Sequence, residues 1–161
     1  MEERLFVSSS PHIRDGNTIQ KVMLDVIIAL LPATLGALYY FRINGAKIIL
    51  LSVVTAVVAE AVFQKIRKQP ITINDLSAVV TGLLLAFNIP SSAPWWIPVL
   101  GAVIAIVIVK QFFGGIGHNF MNPALAARIM LMVSYTGHMT SWVKPGADAI
   151  STATPLSFVK G

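Results

Sequence analysis

Apolar residues fall into five runs along this chain, divided by short polar or Gly/Pro-rich breaks. The first, 22–41, holds 20 residues, which as a helix rising about 1.5 Å per residue would cross a hydrocarbon layer of about 30 Å. A second run, 46–63, follows the short break "RINGA", which reads as a turn. Small residues recur four apart in both: Ala29, Ala33 and Ala37, then Ser52 and Ala56. Such stripes let helix backbones approach closely in lipid. The third run, 76–89, has only 14 residues and stops at Pro90. The fourth, 95–113, spans a membrane by length, and its Trp95–Trp96 pair suits an interface. The fifth, 123–135, has 13 residues and follows "GGIGHNFMN".

Local signals refine these elements. Asn17 and Gln20 have capping-box spacing at the start of the first run. Asn122 before Pro123 predicts a helix start, with Asn as cap and Pro where its missing N–H costs nothing. Two short, Gly/Pro-bounded runs among longer ones point to broken helices around a membrane site; tilted or buried short helices are the alternative. Residues 136–161 read as a polar loop.

Composition decides the solvent. The 161 residues are 55% hydrophobic and 12% charged, with mean hydropathy +0.75. A soluble domain carries about 25% charged residues, so lipid is the expected surround and an all-α integral membrane protein the expected class. The opening "MEERLFVSSSPHIRDG" lacks the layout of a secretory signal, so the first run is expected to remain as an anchor. Net charge +5 comes from residues scattered at segment ends, which argues against a nucleic-acid surface. With no cysteine, the chain supplies no thiolate to an iron–sulfur cluster and forms no disulfide. His12, His118 and His138 show no metal-ligand spacing.

Lysine and arginine favour the cytoplasmic side of a membrane. With the N-terminus inside and five crossings, Arg4, Arg14, Lys21, Lys65, Arg67, Lys68 and Lys110 lie inside, against Arg42, Lys47, Lys144 and Lys160 outside. Asp25, Glu60 and Arg128 fall within apolar runs, where a charge is a functional suspect. Asp25 and Glu60 sit about one turn from a segment end, within reach of interfacial water; Arg128 is deeper and calls for a carboxylate, a carbonyl or an anionic ligand as partner. "GGIGHN" has neither the Walker A ending nor a preceding soluble strand, and close helix packing is the expected role of its glycines.

Three stretches carry a resemblance. "DAISTAT", from Asp148 to Thr154, resembles the pattern Asp-x-x-Ser/Thr-x-Ala-Thr at which a flavin transferase joins FMN to the last threonine through a phosphoester. "SPHIRDGNTIQKVMLDVIIALLPA" and "GGIGHNFMNPALAARIML" resemble signatures of the D-type subunit of the Rnf electron transport complex, the membrane-bound ferredoxin:NAD oxidoreductase. That family is similar to the B-type subunit of the sodium-pumping NADH:quinone reductase.

The resemblance implies one repeat of an inverted-repeat fold similar to urea and ammonium channel proteins. It also implies a cytoplasmic segment 1–21, a membrane domain 22–135 and an extracytoplasmic flavin-carrying loop 136–161, in a bacterial inner membrane. Thr154 is implied as the FMN acceptor, with Asp148 and Ser151 in the recognition pattern; no catalytic or metal-ligating residue is implied. The implied partners are other Rnf subunits, including iron–sulfur and second covalent-FMN subunits, with the flavin transferase acting during maturation. The family's second repeat has no counterpart in these 161 residues, so the complete subunit's riboflavin and the full ion path find no residues here. The rival readings are a half-unit of a small-solute transporter or channel without flavin, and a scaffold subunit that has lost its flavin.

Overall fold

The computed structural model describes residues 18–119 and 121–141, which are helical and contain no strand. Helix α1, Ile19–Ile66, is broken at Arg42, whose φ of 46° and ψ of −128° leave the helical region. A Cβ placed on Gly45 would lie 3.0 Å from the Ala37 carbonyl oxygen. Eight residues along a straight helix are about 12 Å apart, so the chain reverses at Arg42 and α1 is a hairpin of two arms. Consistently, Ile19 lines the same cavity as Glu60 and Gln64. The turn is therefore tighter than "RINGA" suggests: Arg42 makes it, while Gly45 belongs to the second arm and permits close approach to the first.

A 3₁₀ turn, Ile73–Asp75, leads into α2, Ser77–Ala86. Leu76, which the hydropathy pattern places at the start of this run, instead adopts a left-handed φ of 61° outside the helix. Next come α3, Trp96–Val103, which continues as a π-helical stretch Ile104–Gln111, then α4, Pro123–Ser134, and the single turn α5, Thr136–Met139. That last turn is a correction to the expectation of a loop throughout residues 136–161.

Caps mark the ends the sequence foreshadows, with one change of residue. Thr18, not Asn17, caps α1, its hydroxyl accepting from the Lys21 N–H at 3.3 Å; Asn17 lies outside the described residues. Asn122 caps α4 as expected, its Oδ1 accepting from the N–H groups of Ala124 and Leu125.

Contacts at helix ends show that successive elements run in alternating directions. Ser77, at the start of α2, meets Lys110 at the end of the π-helical stretch. Past the other end of α2, Ile89 and Pro90 share a cleft with Phe41 and Gly45 at the hairpin turn. Trp96 at the start of α3 stacks edge-on against Tyr135, past the end of α4, at 4.9 Å. Ser92 Oγ donates to the Ser141 carbonyl at 2.7 Å. Thr18 and Ser141 therefore sit at opposite ends of the bundle. Although α2 and α4 are about 15 and 18 Å long as helices, each advances from one end toward the other.

The bundle is inside-out by the standard of a water-soluble protein. Tyr39 and Val133 are 78% and 79% exposed, and Leu35, Leu50 and Ile129 are also on the surface. Meanwhile Ser52, Glu60, Gln64, Ser77, Thr81, Lys110 and Gln111 are buried. Apolar surface outward and ionisable groups inward is the arrangement of a protein solvated by lipid. The apolar part of the interior, around Ala56, Leu85, Ile97, Ile106 and Leu131, lies among α1, α2, α3 and α4.

Small residues set the closest helix contact, though not all those the sequence nominates. Ser52 and Ala56 are fully buried, and α2 comes down on the backbone of Ser52 and Val53 through Gly82. Ala29 and Ala33 are exposed, so in the first arm only Ala37 contributes. A Cβ on Gly82 would come within 2.7 Å of Val53 Cα and 3.0 Å of the Ser52 carbonyl, both backbone atoms that cannot rotate away. Gly82→Ala should therefore force α2 off α1 and cost about 1–3 kcal/mol. A lowered thermal midpoint of the purified protein in detergent checks this; an unchanged midpoint would mean the helices do not touch there.

Candidate functional site

The polar interior is organised around one carboxylate. Glu60 belongs to the buried stripe of the second α1 arm, Gly45, Ile48, Ser52, Ala56, Glu60 and Gln64, spaced three and four apart along one helix face. The sequence places it near interfacial water, but only 1% of it is exposed. The reason is tertiary: the 3₁₀ turn and the π-helical stretch close over this end of α1.

Lys110 comes from that π-helical stretch and is 2% exposed. Its Nζ donates to Glu60 Oε1 at 2.6 Å and to Ser77 Oγ. The neighbouring Gln111 Nε2 donates to the same Oε1 at 2.7 Å. Two successive side chains reach one carboxylate because the helix is widened here: the N–H groups of Phe112 and Gly115 donate five residues back, to Val107 and Lys110. Widened turns of this kind occur often at functional sites.

From Lys110 the network continues outward. Ser77 Oγ donates to Asp75 Oδ1 at 2.6 Å, and the Ser77 N–H donates to the same oxygen at 2.9 Å. Gln64 holds the connecting loop by a reciprocal pair, donating to Thr72 Oγ1 and accepting from the Thr72 N–H. Both donors to Glu60 meet Oε1. Its other oxygen, Oε2, is buried and has no hydrogen-bond partner among the described residues. Glu60, Gln64, Thr72, Asp75 and Gln111 line a cavity of about 370 Å³.

The Gly-rich turn forms part of that cavity's wall. Gly114, Gly115 and Gly117 have φ of 107°, 90° and 85°, backbone that side-chain-bearing residues rarely adopt. A Cβ on Gly115 or Gly117 would meet nothing within 4 Å. These glycines serve the shape of the turn and not helix packing, which corrects the expectation from sequence.

The other flagged charges separate clearly. Asp25 is exposed on the first arm. Arg128 is half-buried, and its Nη1 donates to Asn88 Oδ1 at 2.7 Å, while Asn88 donates to the Leu84 carbonyl. Arg128 is thus met by a side-chain carbonyl. Among the described residues no group of three His, Cys, Asp or Glu could hold a metal ion. Asp148, Ser151 and Thr154 lie outside the described residues.

Sequence reasoning misses Lys110, Gln111, Ser77 and Asp75 as site residues. Lys110 reads as a surface charge because it stands near the end of an apolar run. The available signal is its setting in "IVIVKQFFGG", where two phenylalanines follow before the first glycine and place the lysine inside the segment.

Comparison with known proteins fixes the kinship. The model of the "NQR2, RnfD, RnfE family" matches residues 6–161. The chain belongs to this family. Over 160 residues it is 56% identical to the D-type subunit of the Na(+)-translocating ferredoxin:NAD(+) oxidoreductase complex of Acetobacterium woodii, covering 99% of this chain and 50% of that protein. It is 43% identical over 157 residues to the D-type subunit of the proton-translocating ferredoxin:NAD(+) oxidoreductase complex of Clostridium ljungdahlii, covering 96% of this chain and 47% of the relative. A D-type subunit of the ion-translocating oxidoreductase complex of Escherichia coli is 42% identical over 147 residues, 90% of this chain and 42% of that protein. Within the family, these relatives support the D-type resemblance seen in the motifs, and the chain spans about half their length.

Breaking the buried pair from one side should be costly. Lys110→Met leaves an uncompensated carboxylate inside the bundle, a change that destabilises by about 3–5 kcal/mol. Guanidinium or thermal denaturation of the purified variant in detergent measures it; a loss below about 1 kcal/mol would place Lys110 at the surface.

Proposed function

We propose that this chain forms the first part of a membrane subunit in a redox-driven, ion-translocating ferredoxin:NAD oxidoreductase, and that it relays electrons through an FMN esterified to Thr154. The observation that carries this reading is the 56% identity across 99% of the chain to a D-type subunit of such a complex, together with the acceptor-like stretch Asp148–Thr154. FMN accepts and releases electrons singly or in pairs and so connects one-electron and two-electron centres. Cysteine is absent from these 161 residues, so they supply no thiolate to an iron–sulfur centre.

The residues suit the attachment. A phosphoester needs a side-chain hydroxyl, which Thr154 supplies, and Ala153 leaves room beside it. Pro155 biases Thr154 toward extended backbone, holding the hydroxyl away from its own chain. Asp148 and Ser151 complete the stretch read by the transferase. The described residues end at Ser141, at the end of the bundle that carries Trp96, Tyr135 and His138 and lies opposite Glu60. With the N-terminus cytoplasmic, this supports a Thr154 loop on the extracytoplasmic face of a bacterial inner membrane. The implied partners remain the other Rnf subunits, among them iron–sulfur and second covalent-FMN subunits.

Attachment is tested on protein matured in cells that contain the flavin transferase. After denaturing electrophoresis the band should fluoresce yellow-green, and Thr154→Ala should abolish the signal. Fluorescence persisting in that variant would refute Thr154 as acceptor, and a dark wild-type band would favour a pore or a scaffold subunit. Sidedness has its own test. A cysteine introduced by Ser151→Cys should react with a membrane-impermeant thiol reagent in intact cells; reaction only after lysis would reverse the orientation.

A further inference from the structure

We propose that the outward-facing groove between the second arm of α1 and α3 with its π-helical continuation binds an anionic phospholipid, one acyl chain lying in the groove and the phosphate on Lys65, Arg67 and Lys68. The inference goes beyond the electron-carrier reading and needs only a bundle solvated by lipid. Thr55, Val58, Val62 and Ile66 form one wall and Val103 and Val107 the other, around a volume of about 420 Å³. The first four fall three and four apart, on one stripe of the helix. Glu60 and Lys110 belong to the same two elements but are buried on their inner sides, so no ionisable group lines the groove. An apolar groove on a lipid-solvated surface accepts acyl chains of any kind; selection comes from what stands at its end.

Depth and charge name the occupant. Thr55 and Ile66 are about 16 Å apart along the helix axis, about half of a hydrocarbon core of about 30 Å. The groove is therefore as deep as one leaflet. It ends where Lys65, Arg67 and Lys68 place three positive charges within four residues. All three are exposed, and among the described residues none forms an ion pair. No acidic residue lies between Glu60 and Asp75 in the sequence; Glu60 is held inside by Lys110, and Asp75 accepts from Ser77. Clustered basic side chains at a membrane surface attract anionic lipid headgroups.

An aromatic ring joins the apolar and the charged parts of the site. The Arg67 guanidinium carbon lies 5.7 Å from the centroid of Phe63, which itself lines the groove. This cation–π contact holds the guanidinium at the groove's end, and its planar fork of N–H groups matches phosphate oxygens. Phe63 also meets Phe112, which is 62% exposed, at 5.7 Å between ring centroids. Phe112 directly follows Gln111. A chain seated against these rings would brace the π-helical stretch and the second arm of α1 from outside, on the surface opposite Glu60 and Lys110.

The test uses the whole purified complex in phosphatidylcholine liposomes, doped with a trace of lipid that carries a photoactivatable diazirine on one acyl chain. The headgroup of that probe is either phosphatidylglycerol or phosphatidylcholine. After irradiation, peptide mass spectrometry should find label on the groove walls, Val58, Val62, Val103 and Val107 among them, with the phosphatidylglycerol probe preferred. Arg67→Gln should cut that preference about fivefold, equivalent to about 1 kcal/mol, and adding Lys65→Gln and Lys68→Gln should abolish it. Val62→Trp fills the groove and should remove the label while the basic cluster stays in place. All four substituted side chains are exposed, so the variants should fold as the parent does. Equal labelling by the two probes, a preference unchanged in Arg67→Gln, or label persisting in Val62→Trp would overturn the proposal. So would groove walls left unlabelled by both probes, the result expected if a protein segment covers them.

Discussion

A carboxylate and an ammonium held at 2.6 Å inside a lipid-solvated bundle set the terms for everything around them. Either charge alone would be very costly there; together, and with Gln111 and Ser77 adding hydrogen bonds, they are tolerated. The requirement is geometric. Glu60 must face inward from α1, Lys110 must reach it from the far end of the π-helical stretch, and Ser77 must stand ready at the start of α2. Three segments distant in sequence are pinned to one another at one end of the bundle. Gly82 pins two of them again nearer the middle.

This arrangement gives the two ends different characters. One end carries ionisable groups, a polar cavity and a glycine turn with three positive-φ residues. The opposite end carries aromatic side chains, Trp96 against Tyr135 and His138, and is where the described chain stops at Ser141.

Much of this is legible in the sequence wherever a local rule decides the outcome. The apolar runs give the membrane class, Asn122–Pro123 gives a helix start, and the short third and fifth runs give helices too short to span alone. Motifs give the family. What stays hidden depends on contacts between distant residues. "RINGA" reads as the turn because glycine is the usual turn residue, whereas Gly45 is used for close approach to Ala37 and Arg42 bears the strain. Lys110 reads as a surface charge because hydropathy alone cannot show that other segments fold against it. A π-helical stretch has no composition of its own, so the pairing of Lys110 and Gln111 on one carboxylate emerges only in three dimensions. Asp148, Ser151 and Thr154 stand outside the described residues, and their role rests on the motif.

The pivotal claim is that Glu60 and Lys110 interact directly in the folded protein, and a double-mutant cycle measures that interaction most directly. Stabilities of the parent, Glu60→Gln, Lys110→Met and the double variant would be compared under one detergent condition. Direct pairing predicts a coupling energy above about 1 kcal/mol, with the double variant recovering part of each single loss. Effects that add within about 0.3–0.5 kcal/mol, as for independent sites, would contradict the pairing and the architecture built on it.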